Sequence, residues 1–222
     1  ASSSSKMALE QLFIEGELMV PCRRNFQKVY DLRERVLPEG VDTSVPTETE
    51  LCQHLISSFL RTHGLGQLKE MRYLRKGMGS TMGSTALQME EEGTIVQLSI
   101  AGRDYYCEPA LLELLDTKPL RSSLRVLSPF DNAVIQRDRI KRLFNFNYQI
   151  ECYVKKENRN YGYFCLPLLH RNRLIGRLDA KAERKTSVLH LYHLQLEDSV
   201  KNVEEATSAL KSELIKFASF NG

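Results

Sequence analysis

No apolar run in this sequence approaches the ~18 residues that a membrane-spanning helix needs; the longest, Tyr163–Leu169, is interrupted by Pro167. No membrane association is therefore expected. No secretory signal is read either, because the opening Ala1–Lys6 holds four serines and no apolar core follows it. The cysteines, at 22, 52, 107, 152 and 165, include no CxxC pair, so neither a zinc site nor a disulfide framework is indicated. Reduced, mostly buried thiols in a cytoplasmic protein are the expectation. His190 and His193 are three apart and in a strand would face opposite sides, so no metal is expected. A P-loop, a dinucleotide fingerprint and a serine nucleophile elbow are all missing, and no cofactor is expected.

What is present is a composition of 42% hydrophobic and 27% charged residues, which fits a globular chain of 222 residues. The net charge is only +3, but it is unevenly spread. From Arg137 to Lys185 there are 13 Lys and Arg against 5 Asp and Glu, a surplus of eight that leaves the rest of the chain at −5. Such a one-sided field suits a polyanion surface. A strand-rich region with a basic solvent face would read the same way.

Residues 1–37 read as a loop or tag remnant, then a helix end and a hairpin. Patterning starts at Met7–Ala8–Leu9, and a fragment of a longer protein is expected. Leu9, Leu12 and Phe13 have helical spacing, and Gly16 stops the helix. Glu17–Arg24 and Phe26–Leu32 alternate like strands around the basic tip Cys22–Asn25. Arg23 and Arg24, with Lys28 nearby, could clamp phosphates, or could simply be a solvated tip. A helix followed by such a hairpin is the back half of a winged helix.

Residues 38–115 read as a complete winged-helix domain. After the linker Pro38–Pro46, Thr47 and Glu50 form a capping box that opens a helix with Leu51, Leu55, Phe59 and Leu60 on one stripe. A short helix at Gln67–Arg75 and a third from about Ser80 or Ser84 to Glu92 follow. Ser80, Thr81, Ser84 and Thr85 lie near the positive end of that third helix, but Glu90–Glu92 at its other end would repel a DNA backbone. Thr94–Ile100 and Arg103–Glu108 form the wing around Ala101–Gly102.

Residues 116–222 read as a basic domain with a small antiparallel β-barrel or meander and a C-terminal helix, so the whole chain is α+β. Ser128–Asp131 is a turn and Asp138–Phe146 a short helix. Strands are expected at Tyr148–Val154, Tyr161–Leu169, Arg173–Ala180 and Ser187–Leu196. The last helix carries Val203, Ala206, Leu210, Leu214 and Phe217 as its core stripe. Lys155, Lys156 and Arg159 precede Tyr161 and Tyr163, and Lys181, Arg184 and Lys185 occupy a strand end. Basic residues interleaved with aromatics suit nucleic-acid strands.

The run LSPFDNAVIQRDRIKRLFNFNYQIECYVKKENRNYGYFCLPLLHRNRLIGRLDAKAERKT, Leu127–Thr186, resembles the YcaQ/AlkZ family of winged-helix DNA glycosylases, the YcaQ branch most closely. LEQLFIEGELMVPCRRNFQKVYDL, Leu9–Leu32, resembles the same family, whereas Thr43–Glu108 does so only in outline. The resemblance implies a DNA-repair protein that unhooks alkylated bases and interstrand cross-links by cleaving the N-glycosidic bond. It implies tandem winged helices and a β-barrel around a DNA channel, and double-stranded DNA as partner. A monomer is expected.

The family's catalytic signature, Gln-x-Gln or Gln-x-Asp, belongs to an N-terminal part expected to precede Leu9, so this chain is expected to bind rather than excise. Gln136–Arg137–Asp138 spells Gln-x-Asp outside that context and is read as coincidence, with Asp138 capping a helix. The resemblance implies that Asp138, Arg139, Asp179 and Lys181 are family-typical residues that shape the barrel or channel. A winged-helix transcription regulator is the rival reading. It would want a third helix rich in Arg, Asn or Gln, and here that helix has only Gln88. A protein-interaction module fits the basic segment less well.

Overall fold

The computed structural model describes residues 4–117 and 123–221. The chain divides into two compact units, Ala1–Pro46 and Thr47–Gly222. The linker Pro38–Pro46 goes with the first. Residues from both the 38–115 and the 116–222 segments build the second.

In the first unit, helix α1 (Ser4–Ile14) begins earlier than the patterning suggested: Ser4–Lys6 are helical, not a loop. Gly16, at φ 83°, ends it, and Glu17 N–H returns to Leu12 O at 2.9 Å. Strands β1 (Leu18–Arg24) and β2 (Gln27–Leu32) pair antiparallel, with a bulge between Met19 and Cys22, and α2 (Arg33–Val36) follows. Phe13 meets Tyr30 edge-on at 6.0 Å, which seats the hairpin on α1.

The second unit opens with α3 (Glu48–His63), capped as expected: Thr47 Oγ1 accepts the Glu50 N–H at 3.2 Å, and Glu50 Oε2 accepts the Thr47 N–H at 2.7 Å. Its buried stripe is Cys52, Ile56, Phe59 and Leu60. Leu51 is exposed and Leu55 only partly buried, so the first half of the expected stripe is rotated by one residue. The small Cys52, not Leu51, lets α5 (Gly79–Glu91) approach. Between them lie β3 (Leu65–Gly66) and α4 (Leu68–Met71), the latter shorter than the Gln67–Arg75 helix expected. Strands β4 (Val96–Ile100) and β5 (Arg103–Cys107) turn at Ala101–Gly102, and the sheet order is β3-β5-β4. Met82, Ala86 and Met89 of α5 close this core against Ile56 and Tyr106.

A 3₁₀ stretch, Pro109–Asp116, leads on to β6 (Leu124–Val126) and then α6 (Arg137–Phe144). The turn Ser128–Asp131 is closed by Asp131 N–H to Ser128 O at 3.0 Å. Strands β7 (Cys165–His170), β8 (Arg173–Glu183) and β9 (Val188–Leu196) complete an antiparallel sheet of order β6-β7-β8-β9. Helix α7 (Val203–Asn221) covers one face, with Ala206 and Leu210 packed on Leu124, Leu168, Ile175 and Leu178. Val203, expected in that stripe, is exposed because it stands in the helix's first turn.

Two expected strands differ. Tyr148–Val154 forms none. Phe146, Tyr148 and Ile150 are buried while Asn145, Asn147 and Gln149 between and before them are exposed, so the alternation reports one covered face of an extended segment without a ladder partner. The strand expected from Tyr161 starts only at Cys165. The amides before it are taken by two carboxylates.

His190 and His193 also depart from expectation. A bulge leaves Tyr192 without a partner in the register, so His190 lies opposite Lys181 and His193 opposite Asp179, on one face. Among the described residues, no group of three or more His, Cys, Asp or Glu is placed to hold a metal ion.

Candidate nucleic-acid interface

Most arginines of the basic segment brace the fold, whereas its lysines face solvent. Arg139 Nη1 donates to Glu70 Oε2 at 2.9 Å and Nη2 to His63 O at 3.4 Å, while Arg142 pairs with the other Glu70 oxygen. Glu70 is 3% exposed. Two guanidiniums and the Gln67 N–H, at 3.0 Å, surround its oxygens. Arg177 is buried between the rings of Phe146 and Tyr161, at 4.6 and 4.2 Å, and pairs with Glu197 at 2.7 Å. Arg171 pairs with Glu205 at 2.5 Å. A planar guanidinium stacks and forks where an ammonium cannot, which is why Arg139, Arg142 and Arg177 occupy the interior posts, while Arg171 pairs at the surface.

Two buried carboxylates organise the loop before β7. Glu151 accepts the N–H groups of Asn160, Tyr161 and Gly162 at 3.0, 2.8 and 3.2 Å. Asp179 accepts those of Tyr163 and Phe164 at 2.8 and 3.4 Å. Five successive amides thus end on two side chains. Burial alone would raise the Glu151 pKa, but the three amides outweigh it and hold the carboxyl below its ordinary value. Cys165, beside them, is pushed up to about 12 by burial and by the Asp179 and Glu151 charges, so its thiol stays protonated and is no nucleophile.

The expected contact residues are distributed over this frame. Lys155 and Lys156 are exposed on the loop. Arg159 is half-buried and supports it instead: Nε donates to Val154 O at 2.9 Å and Glu151 O at 3.2 Å, and the guanidinium lies 4.9 Å from the Tyr163 ring. Lys181, Arg184 and Lys185 come together with Tyr163, Phe164 and Tyr192 around an open cavity of about 870 Å³. Arg184 Nε donates to Asn221 O at 2.9 Å, and Glu183 is bound by His190 at 3.2 Å, which holds its carboxyl below the ordinary range.

In the first unit, Arg23 and Arg24 end β1, and Arg23 Nη1 donates to Phe26 O at 3.2 Å. Lys28 is drawn over Phe13, 4.8 Å from its centroid, and lies 6.0 Å from that of Tyr30.

Two expectations at the helix termini are revised. Thr85 is buried against the core of α5 and cannot reach a phosphate, although Ser80 and Ser84 are exposed. The N-cap of α6 is Gln136, so Asp138 stands in the first turn and is not the cap. Gln136 is itself buried, its Nε2 donating to Glu70 O at 3.0 Å. Neither Glu70 nor Glu151 stands out in the sequence as a functional residue. The one local signal was Glu70 at the third position of a capping box with Gln67.

The family model described as DNA glycosylase AlkZ-like matches residues 1–220, and the chain belongs to that family of DNA glycosylases. The fold is similar to that of Streptomyces sahachiroi DNA glycosylase AlkZ, with a TM-score of 0.62 at 14% sequence identity. The superposition covers 95% of this chain and 53% of that one, so the chain spans about half the length of that relative. At that identity the likeness is one of fold.

Proposed function

We propose that this chain is a DNA-binding portion of a repair glycosylase that unhooks alkylated bases and interstrand cross-links, and that it engages duplex DNA as a monomer. The helices and hairpin of 47–108 act as a winged helix, the α1–hairpin segment as the back half of another, and the β6–β9 sheet as part of a channel wall. Arg23, Arg24, Lys28, Lys155, Lys156, Lys181, Arg184 and Lys185 contact phosphates, with Arg159 shaping the loop that carries two of them.

The observation that carries this reading is the division of labour in the basic segment. Five of its eight arginines, Arg137, Arg139, Arg142, Arg159 and Arg177, are buried or half-buried, yet Lys155, Lys156, Lys181 and Lys185 stay at the surface, as do the rings of Tyr153, Tyr163 and Tyr192. Cations with aromatic faces suit a nucleic-acid backbone and its bases. In the reaction, an alkylated purine carries positive charge and leaves readily, so the enzyme's main tasks are to hold the lesion and orient water.

The test is a titration of an end-labelled duplex by fluorescence anisotropy at rising salt. Affinity falls steeply between low and physiological salt, because each phosphate contact releases counterions. A flat titration, or no binding at low salt, overturns the reading.

A further inference from the structure

The hairpin of the first unit turns through Asn25 and Phe26, since Arg24 pairs with Gln27. Both turn residues have positive φ, 46° and 64°. This is the tight two-residue turn whose second position favours glycine, or asparagine failing that. Two further turns of the same kind occur among the described residues. Ala101–Gly102 has φ of 51° and 70°, and Arg171–Asn172 has 47° and 62°. Glycine and asparagine stand second there, as the backbone prefers. Among the described residues, only the first hairpin places a bulky aromatic in that strained position.

Phe26 gains no packing in return, for it is 93% exposed. Its backbone is nevertheless pinned, by the Arg23 guanidinium on its carbonyl at 3.2 Å. The surrounding stretch Pro21–Lys28 carries Arg23, Arg24 and Lys28 and no acidic residue. A projecting apolar ring amid cations is complementary to a stacked, anionic duplex. A residue kept in a strained conformation without burial is best accounted for by what it meets.

We propose that Phe26 is a wedge that enters between adjacent base pairs of duplex DNA, while Arg23 and Arg24 hold the flanking phosphates. The proposal rests on the DNA-binding reading and adds to it a place where the duplex is opened.

The chain contains no tryptophan, so Phe26→Trp introduces a single fluorescent reporter. Binding is followed by anisotropy of the labelled duplex, and the emission and acrylamide quenching of the introduced indole are read in the same samples. Stacking between bases quenches the emission at least about twofold and shields the ring from acrylamide. Phe26→Gly, which suits the positive φ, keeps or raises the melting temperature yet weakens duplex binding about tenfold. A duplex that binds while the indole stays as accessible as in the free protein overturns the wedge and leaves DNA binding standing. An indole that becomes shielded without DNA as protein concentration rises also overturns it, in favour of a contact between protein copies. Absence of duplex binding by the unsubstituted chain removes the DNA reading and the wedge together.

Discussion

Gly162 and Asp179 are compatible only because Gly162 lacks a Cβ: one built on its backbone would overlap the Asp179 carboxylate. Gly162 also has φ 136°, a conformation that other residues rarely adopt. The close approach lets Asp179 reach the next two amides while Glu151 takes the previous three. Gly162→Ala is therefore expected to destabilise the second unit by about 3 kcal/mol or more, through strain and broken hydrogen bonds. Urea denaturation measures it, and an unchanged midpoint would contradict this account of the loop.

Glu70 neutralises Arg139 and Arg142 at the foot of α4. Glu70→Gln leaves two guanidiniums without their counterion, one of them Arg139 with a 7% exposed side chain. The expected cost is about 3–5 kcal/mol, the range for breaking a buried pair from one side. Since the pair is buried, added salt should restore little of it. A Gln variant with unaltered thermal stability would show that the network contributes no net energy.

Glu151 makes stability depend on acid. Its folded-state pKa lies below the ordinary value of 4.5, so its contribution is complete above that value. The contribution disappears as pH falls through the lower, folded-state value. In melting curves between about pH 6 and pH 3, the unsubstituted chain should lose more stability than Glu151→Gln, which starts lower and changes less. Parallel losses in both proteins would assign the acid sensitivity elsewhere.

Arg23 and Arg24 should affect binding without affecting folding. Both are exposed at the end of β1. The Arg23→Ala/Arg24→Ala double variant is expected to bind duplex DNA more weakly. Its salt slope should fall by roughly one for each phosphate that is no longer neutralised. Its melting temperature should stay nearly constant, because exposed charges contribute little to stability. Retained affinity and slope would make the tip an ordinary solvated turn.

Local chemistry was legible in the sequence wherever a short-range rule acts alone. Thr47 and Glu50 announce their capping box, Gly16 ends its helix, and Ala101–Gly102 names its turn, because each requirement is met within a few residues. The run Leu127–Thr186 pointed to the family whose model matches residues 1–220. Where burial or pairing depended on distant partners, the sequence pattern misled. The alternation from Phe146 to Ile150 looked like a strand, although burial of one face produces the same period without a ladder. The spacing of His190 and His193 put them on opposite faces until the bulge at Tyr192 reversed the parity.

The positive surplus of Arg137–Lys185 is a property of the sequence alone, but tertiary structure decided which charges face outward. Glu70 lies more than sixty residues from Arg139 and Arg142, and only the packing of α4 beside α6 brings the three together. A guanidinium that finds a buried carboxylate or ring becomes part of the scaffold, while a strongly hydrated ammonium stays in water. Composition sets the amount of charge. Its availability depends on desolvation, which is fixed only when the distant parts of the chain have met.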